Sequence, residues 1–76
     1  DVVAAPSFTI FPNPARDRIN IQSSKAITLS LQNSNGDMLL TQKIKGSGIM
    51  DISKLRSGLY YLVDVESGVK VGVVKE

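Results

Sequence analysis

With 76 residues the chain has room for one domain at most, and a chain of this size buries only about 60% of the surface its unfolded form exposes. Nine basic residues against seven acidic ones leave a formal charge of +2, and the basic side chains stand singly between Arg16 and Lys75, with no stripe and few aromatic rings to stack bases, so no nucleic acid is expected as a partner. The absence of cysteine argues against a disulfide-built secreted domain of the eukaryotic kind, and no apolar run approaches the roughly 18 residues of a membrane span.

The first stretch, "DVVAAPS" (1–7), is small and apolar. It lacks the basic start and long apolar run of a signal peptide. It is expected to be a linker or extended N-terminal segment ahead of a domain at residues 8–76. Since the chain begins at Asp1 without Met, a terminal module of something longer is expected.

From Phe8 onward the pattern has period two. "FTIF" alternates weakly and stops at Pro12. Pro12 and Pro14 fix φ near −65° and remove two amide donors. Each pushes the residue before it, Phe11 or Asn13, toward extended backbone. Locally this is a corner between strands. "RINIQ" (18–22) sets Ile19 and Ile21 on one face. "AITLSLQ" (26–32) sets Ile27, Leu29 and Leu31 on one face and Thr28 and Ser30 on the other, the clearest half-buried strand of the chain.

"SNGD" (34–37) follows. Asn35-Gly36 between alternating runs predicts a two-residue type I′ hairpin with positive φ at both positions. "MLLTQKIK" (38–45) is the return strand, with Met38, Leu40 and Ile44 expected inward. "GSG" (46–48) breaks it, and "IMDI" (49–52) is a short strand. In "SKLRSG" (53–58), Leu55 is expected to plug the end of the core. "LYYLVDVE" (59–66) carries Leu59, Tyr61, Val63 and Val65 on one face, while Tyr60 and Leu62 make the other face partly apolar. "SG" (67–68) turns the chain into "VKVGVVK" (69–75). About seven strands with turns every 8 to 12 residues predict an all-β fold. The expected architecture is a small antiparallel β-sandwich, two sheets packed face to face.

Without His or Cys, the usual nucleophile–base triads and zinc sites cannot be built, and no Lys sits in a clearly apolar slot. No catalytic residue, no cofactor-binding residue and no metal ligand is expected, and the chain is not expected to be an enzyme. "NSNGD" (33–37) has oxygen ligands at alternate positions, as the first half of a calcium loop does, but lacks the distal Glu and flanking helices. A hairpin turn is the simpler reading. "GSG" lacks the Lys and helix of a phosphate loop.

Taken together, "FPNPARDRINI", the hairpin "LQNSNGDMLL" and "MDISKLRSGLYYLVDVESGVKVGVVKE" are more specific than any one of them. From Phe8 to Glu76 this series resembles the C-terminal sorting domain, type A, of the Bacteroidetes type IX (Por) secretion system. Pro12, Asn13, Pro14 and Ala15 match the first motif, although Phe11 stands where the family more often has Tyr. Asn35 and Gly36 match the turn. Asp51, Ile52, Leu55, Gly58 and Tyr60 match the second motif, and Val71, Gly72, Val73, Val74 and Lys75 the terminal strand. The resemblance implies a seven-stranded immunoglobulin-like sandwich. It also implies a secretion signal that carries an upstream cargo domain of the same chain from the periplasm across the outer membrane, for attachment at the cell surface or release. The implied partners are the type IX translocon, an outer-membrane shuttle and a sortase-like protease.

Two readings stay open for the terminal strand. "VKVGVVK" at a sheet edge suits strand addition by a partner, with Lys70 and Lys75 discouraging indiscriminate pairing and Gly72 leaving the backbone accessible. Alternatively, Val71 and Val73 complete the core. Gly58 and Tyr60 likewise have structural readings, a special backbone angle and a packed ring with a bonded hydroxyl. Asn13 and Arg16 are the candidates for direct contact with a partner. Edge strands also leave room for a weak homodimer. Competing functions are a carbohydrate-binding or adhesion sandwich, which would use Tyr60 and Phe11 as exposed aromatics, and a purely structural accessory domain.

Overall fold

A computed structural model describes residues 8–76, so the linker expected at 1–7 lies outside the described residues. The described chain forms β1 (Phe8–Phe11), β2 (Arg18–Ser23), β3 (Ile27–Asn33), β4 (Met38–Ile44), β5 (Ser47–Asp51), β6 (Gly58–Asp64) and β7 (Lys70–Lys75). All pair antiparallel, in a three-stranded sheet ordered β1-β2-β5 and a four-stranded sheet ordered β4-β3-β6-β7. The fold is the small all-β sandwich that the alternation predicts, and its two-sheet arrangement is immunoglobulin-like.

Alternation decides which residues meet between the sheets. Ile19, Ile21 and Met50 of the three-stranded sheet face Leu29, Leu31, Ile44, Leu62 and Val73 of the four-stranded one, and all are sealed from solvent. Phe8 and Ile52 complete the layer, and Leu55 packs against it, as the end-plug reading expects. Each fully buried aliphatic side chain contributes about 1.5–3 kcal/mol relative to exposure.

Local departures from the expected pattern have local causes. Met38 is 64% exposed, not inward. The β3–β4 register shifts between Leu31 and Gln32: Leu31 pairs with Leu40, and Gln32 with Met38. Leu39 is the extra residue of this bulge, and one extra residue flips the strand beyond it to the other face. The hairpin is not type I′ either. Among the described residues no non-glycine residue has positive φ, so Asn35 does not adopt the required angle. Instead the Gly36 N–H donates to the Asn33 carbonyl at 3.0 Å, Gly36 takes φ 90°, and the Asn33 Oδ1 accepts from the N–H groups of Asn35 (3.0 Å) and Asp37 (2.9 Å). The Asn33 side chain organises a longer loop than the Asn-Gly pair alone would make.

In β6 the inward set is Tyr60, Leu62 and Asp64. Leu59, Tyr61 and Val63 take the outer side of the strand, with Val65 just beyond its end; of these Val63 is nevertheless buried. Asp64 is tolerated inside because its Oδ1 accepts from the Glu66 N–H at 3.0 Å and its backbone closes the turn to Val69. Finally, β5 begins at Ser47, inside the expected "GSG" break. Gly46 makes the turn, with φ 80°. Gly48 is a strand residue, and a Cβ there would stand 2.7 Å from the Ile44 Cδ1.

Strand direction sorts the loops between the two ends of the sandwich. Residues 12–17, 34–37 and 52–57 and the C-terminal end of β7 share one end; the loops after β2, β4 and β6 share the other.

Candidate functional site

That first end carries every motif position named from the sequence except those in the interior of β6 and β7, which lead into it. The chain leaves β1 at Phe11 and bends through Pro12, Asn13 and Pro14, with both X-Pro peptide bonds cis. It thereby crosses from the edge of one sheet to the edge of the other. There Asn13 acts as a one-residue strand against β7. Its Nδ2 donates to the Gly72 carbonyl at 3.0 Å, and its Oδ1 accepts from the Val74 N–H at 3.0 Å. The backbone then takes over. The Ala15 N–H donates to the Val74 carbonyl at 2.7 Å, and the Glu76 N–H donates to the Ala15 carbonyl at 2.8 Å, a parallel bridge between Ala15 and Lys75. Ala15 is completely buried; a small side chain is what lets the two backbones approach.

This geometry corrects the sequence reading of the terminal strand. β7 is an edge strand, but its stretch from Gly72 to Glu76 is already bonded by the corner, so the Gly72 carbonyl is not open to an incoming strand. Lys75 is not a solvated edge guard: it is buried, and its Nζ donates to the Glu76 backbone oxygen at 2.9 Å. Lys70 is exposed. Val73 completes the core and Val71 packs against it. Asn13 is solvent-facing, but both ends of its amide are spent on β7. Arg16 pairs with Glu76, Nε to Oε1 at 3.4 Å, with both side chains largely exposed. Together Pro12, Pro14, Arg16, Asp17, Arg18 and Glu76 line a shallow cleft over the junction.

The second motif joins the same end by another route. The Ile52 N–H donates to the Asp17 carbonyl at 2.9 Å, and the Leu55 N–H to the Ile52 carbonyl at 3.0 Å. The Asp51 Oδ1 accepts from the Ser53 N–H at 2.9 Å. Hydrogen bonds from the Ser53 side chain and backbone, with the charges of Lys54 and Arg18 adding to them, hold the Asp51 carboxyl below its usual 3.8. Gly58 opens β6 opposite Lys75 with φ 154°, an angle that glycine adopts freely and other residues do not. Tyr60 lies inward, 9% exposed, and its hydroxyl donates to the Arg56 carbonyl at 2.7 Å. This is the tyrosine-corner geometry of immunoglobulin-like sandwiches, and it fulfils the structural reading of Tyr60. Gly36 is at the same end but stands apart, at the tip of its own hairpin.

The structure therefore unites Pro12–Arg16 with Gly72–Lys75, and joins Asp51–Leu55 to them through the Asp17 carbonyl. Sequence reasoning missed Asp17 and the pairing of Arg16 with Glu76. The opposite charges of Arg16 and Glu76 are the only hint, and at a separation of 60 residues no local spacing rule reveals them. Among the described residues, no group of three or more His, Cys, Asp and Glu is placed to hold a metal ion, and the oxygens of Asn33 and Asp37 bond within their own loop.

No curated protein and no solved structure gives a match. The family model for the secretion system C-terminal sorting domain matches residues 9–75. The chain belongs to that family, whose members are sorting signals of type IX secretion.

Proposed function

We propose that this domain is a folded address for a cargo domain upstream in the same chain, and that it is read as a surface, without catalysis. The cargo passes from the periplasm through the outer-membrane translocon with a shuttle protein's help. A sortase-like protease then removes the domain, and the cargo is attached at the cell surface or released. The observation that carries this reading is the junction of Asn13 and Ala15 with Gly72–Glu76. It joins the first motif to the last strand, so the two ends of the family pattern act as one object. The adhesion reading loses an aromatic it needs, because Tyr60 is buried.

The test fuses the 76-residue chain to the C-terminus of a periplasm-directed reporter in a Bacteroidetes host. Export of the reporter to the surface or medium is expected. Deleting residues 72–76, which removes the far side of the junction, is expected to leave it periplasmic. If the intact fusion stays periplasmic while a known sorting domain exports the same reporter, the reading fails.

A further inference from the structure

The four-stranded sheet has an outer face that its own packing does not explain. Leu59 pairs across the strands with Val74, and Tyr61 with Gly72. Leu59 is 44% exposed and Val74 43%. Beside this pair, opposite Tyr61, Gly72 leaves a gap. Glycine weakens a strand interior, and where it is retained it marks a bend, a bulge or a place where another molecule comes close. Gly72 makes no bulge in the β6–β7 register, and it is not among the glycines with positive φ. A Cβ added there would meet the Leu59 Cδ1 at 3.9 Å and the Tyr61 Cε1 at 4.0 Å, ordinary contact distances. Gly48 is the counterexample within the same molecule: its Cβ would stand 2.7 Å from the Ile44 Cδ1. A methyl at 48 would make the Ile44 Cδ1 shift, whereas one at 72 would displace nothing.

We infer that Leu59, Tyr61, Gly72 and Val74 form a socket for an apolar side chain of a partner protein whose surface presents carboxylates beside that side chain. The charge on the face selects this partner. Lys70 is exposed and flanks Gly72 on the same outer face of β7, whereas Lys43 lies on β4 at the opposite edge and end of the sheet. Glu66, just past the end of β6, lines a hollow with Lys43 at that far end, and the carboxylates at the socket's own end, Asp37 and Glu76, are engaged by Asn33 and Arg16. The floor of the socket is stiff, because the Gly72 carbonyl behind it is held by Asn13. Strand addition would need this edge to open, whereas docking on the face leaves the corner intact. The inference rests on the sorting reading and deepens it: the partner is the component of the secretion machinery that receives the cargo.

The test uses the same reporter fusion with Gly72→Ala, Lys70→Glu and Lys70→Arg, each also measured for Tm and for sedimentation as the isolated chain. Gly72→Ala is expected to keep or raise Tm while lowering export at least fivefold. Lys70→Glu is expected to do the same to export without moving Tm, and Lys70→Arg to restore it. If the unaltered fusion is not exported, the sorting reading itself falls. If it is exported and both Gly72→Ala and Lys70→Glu match it within twofold, the socket is overturned and the sorting reading stands. The socket is also overturned if export falls only in step with Tm. A wild-type dimer that Gly72→Ala converts to monomer would assign the face to a second copy and overturn the partner named here.

Discussion

Val73 and Val74 are adjacent and chemically identical, yet the first is 1% exposed and the second 43%. The same contrast runs along β6, where Leu62 is sealed and Leu59 is open. The inner face of this strand pair is apolar because the other sheet covers it. The outer face is apolar without such a cover at the end where the motifs gather. Apolar residues on the first are accounted for by stability; on the second, stability has little use for them. The difference separates residues that keep the domain folded from residues available to a partner, although both kinds lie within the same short motifs.

Paired truncations test that separation most strongly. Leu62→Ala should cost about 3 kcal/mol in urea unfolding, whereas Leu59→Ala should cost no more than about 0.5 kcal/mol. Equal losses would mean that the outer face is packed after all. At the edge, Asn13→Ala removes both side-chain bonds to β7 and leaves the Val74 N–H and Gly72 carbonyl to water. A loss of about 1–2 kcal/mol is expected, with the fold retained by circular dichroism. Ser30 points outward between Leu29 and Leu31 and is nevertheless buried, its Oγ without a hydrogen-bond partner among the described residues. Ser30→Ala should therefore raise stability, by about 1 kcal/mol. Smallest is Arg16→Glu: its ion pair with Glu76 is exposed, so Tm should hardly move, and about 0.5 kcal/mol is an upper bound.

Acid probes the second motif. Because folding lowers the Asp51 pKa from 3.8, the unfolded chain takes up its proton first. The stabilisation from Asp51 is present above 3.8 and is lost as pH falls through the lower folded value. In Asp51→Asn, Tm should fall less steeply with pH below 4 than in the native chain. Identical slopes would remove Asp51 from the acid response.

How far the sequence discloses all this depends on the range of the interaction. Period-two alternation makes β2 and β3 readable, because each side chain's face follows from its neighbours two residues away. Met38 breaks the rule through a single bulge residue, and no propensity of Leu39 signals that. The two faces of β6 are both apolar, so alternation divides them without saying which is inside; the decision comes from Asp64, whose local turn bonds let a carboxylate lie inward. The prolines announce a corner, but not the edge it covers. Asn13 and Gly72 are ordinary residues until the fold brings them within hydrogen-bonding distance.

The junction also has a consequence in time. Asn13 and its acceptor on Gly72 are 59 positions apart. At synthesis rates of about 5–20 residues per second, roughly 3–12 s separate the appearance of the two partners. Contacts of such long sequence separation form late, after the loop between them has closed. A chain interrupted at Val71 therefore carries the proline corner, the hairpin and the whole second motif, but no junction at all.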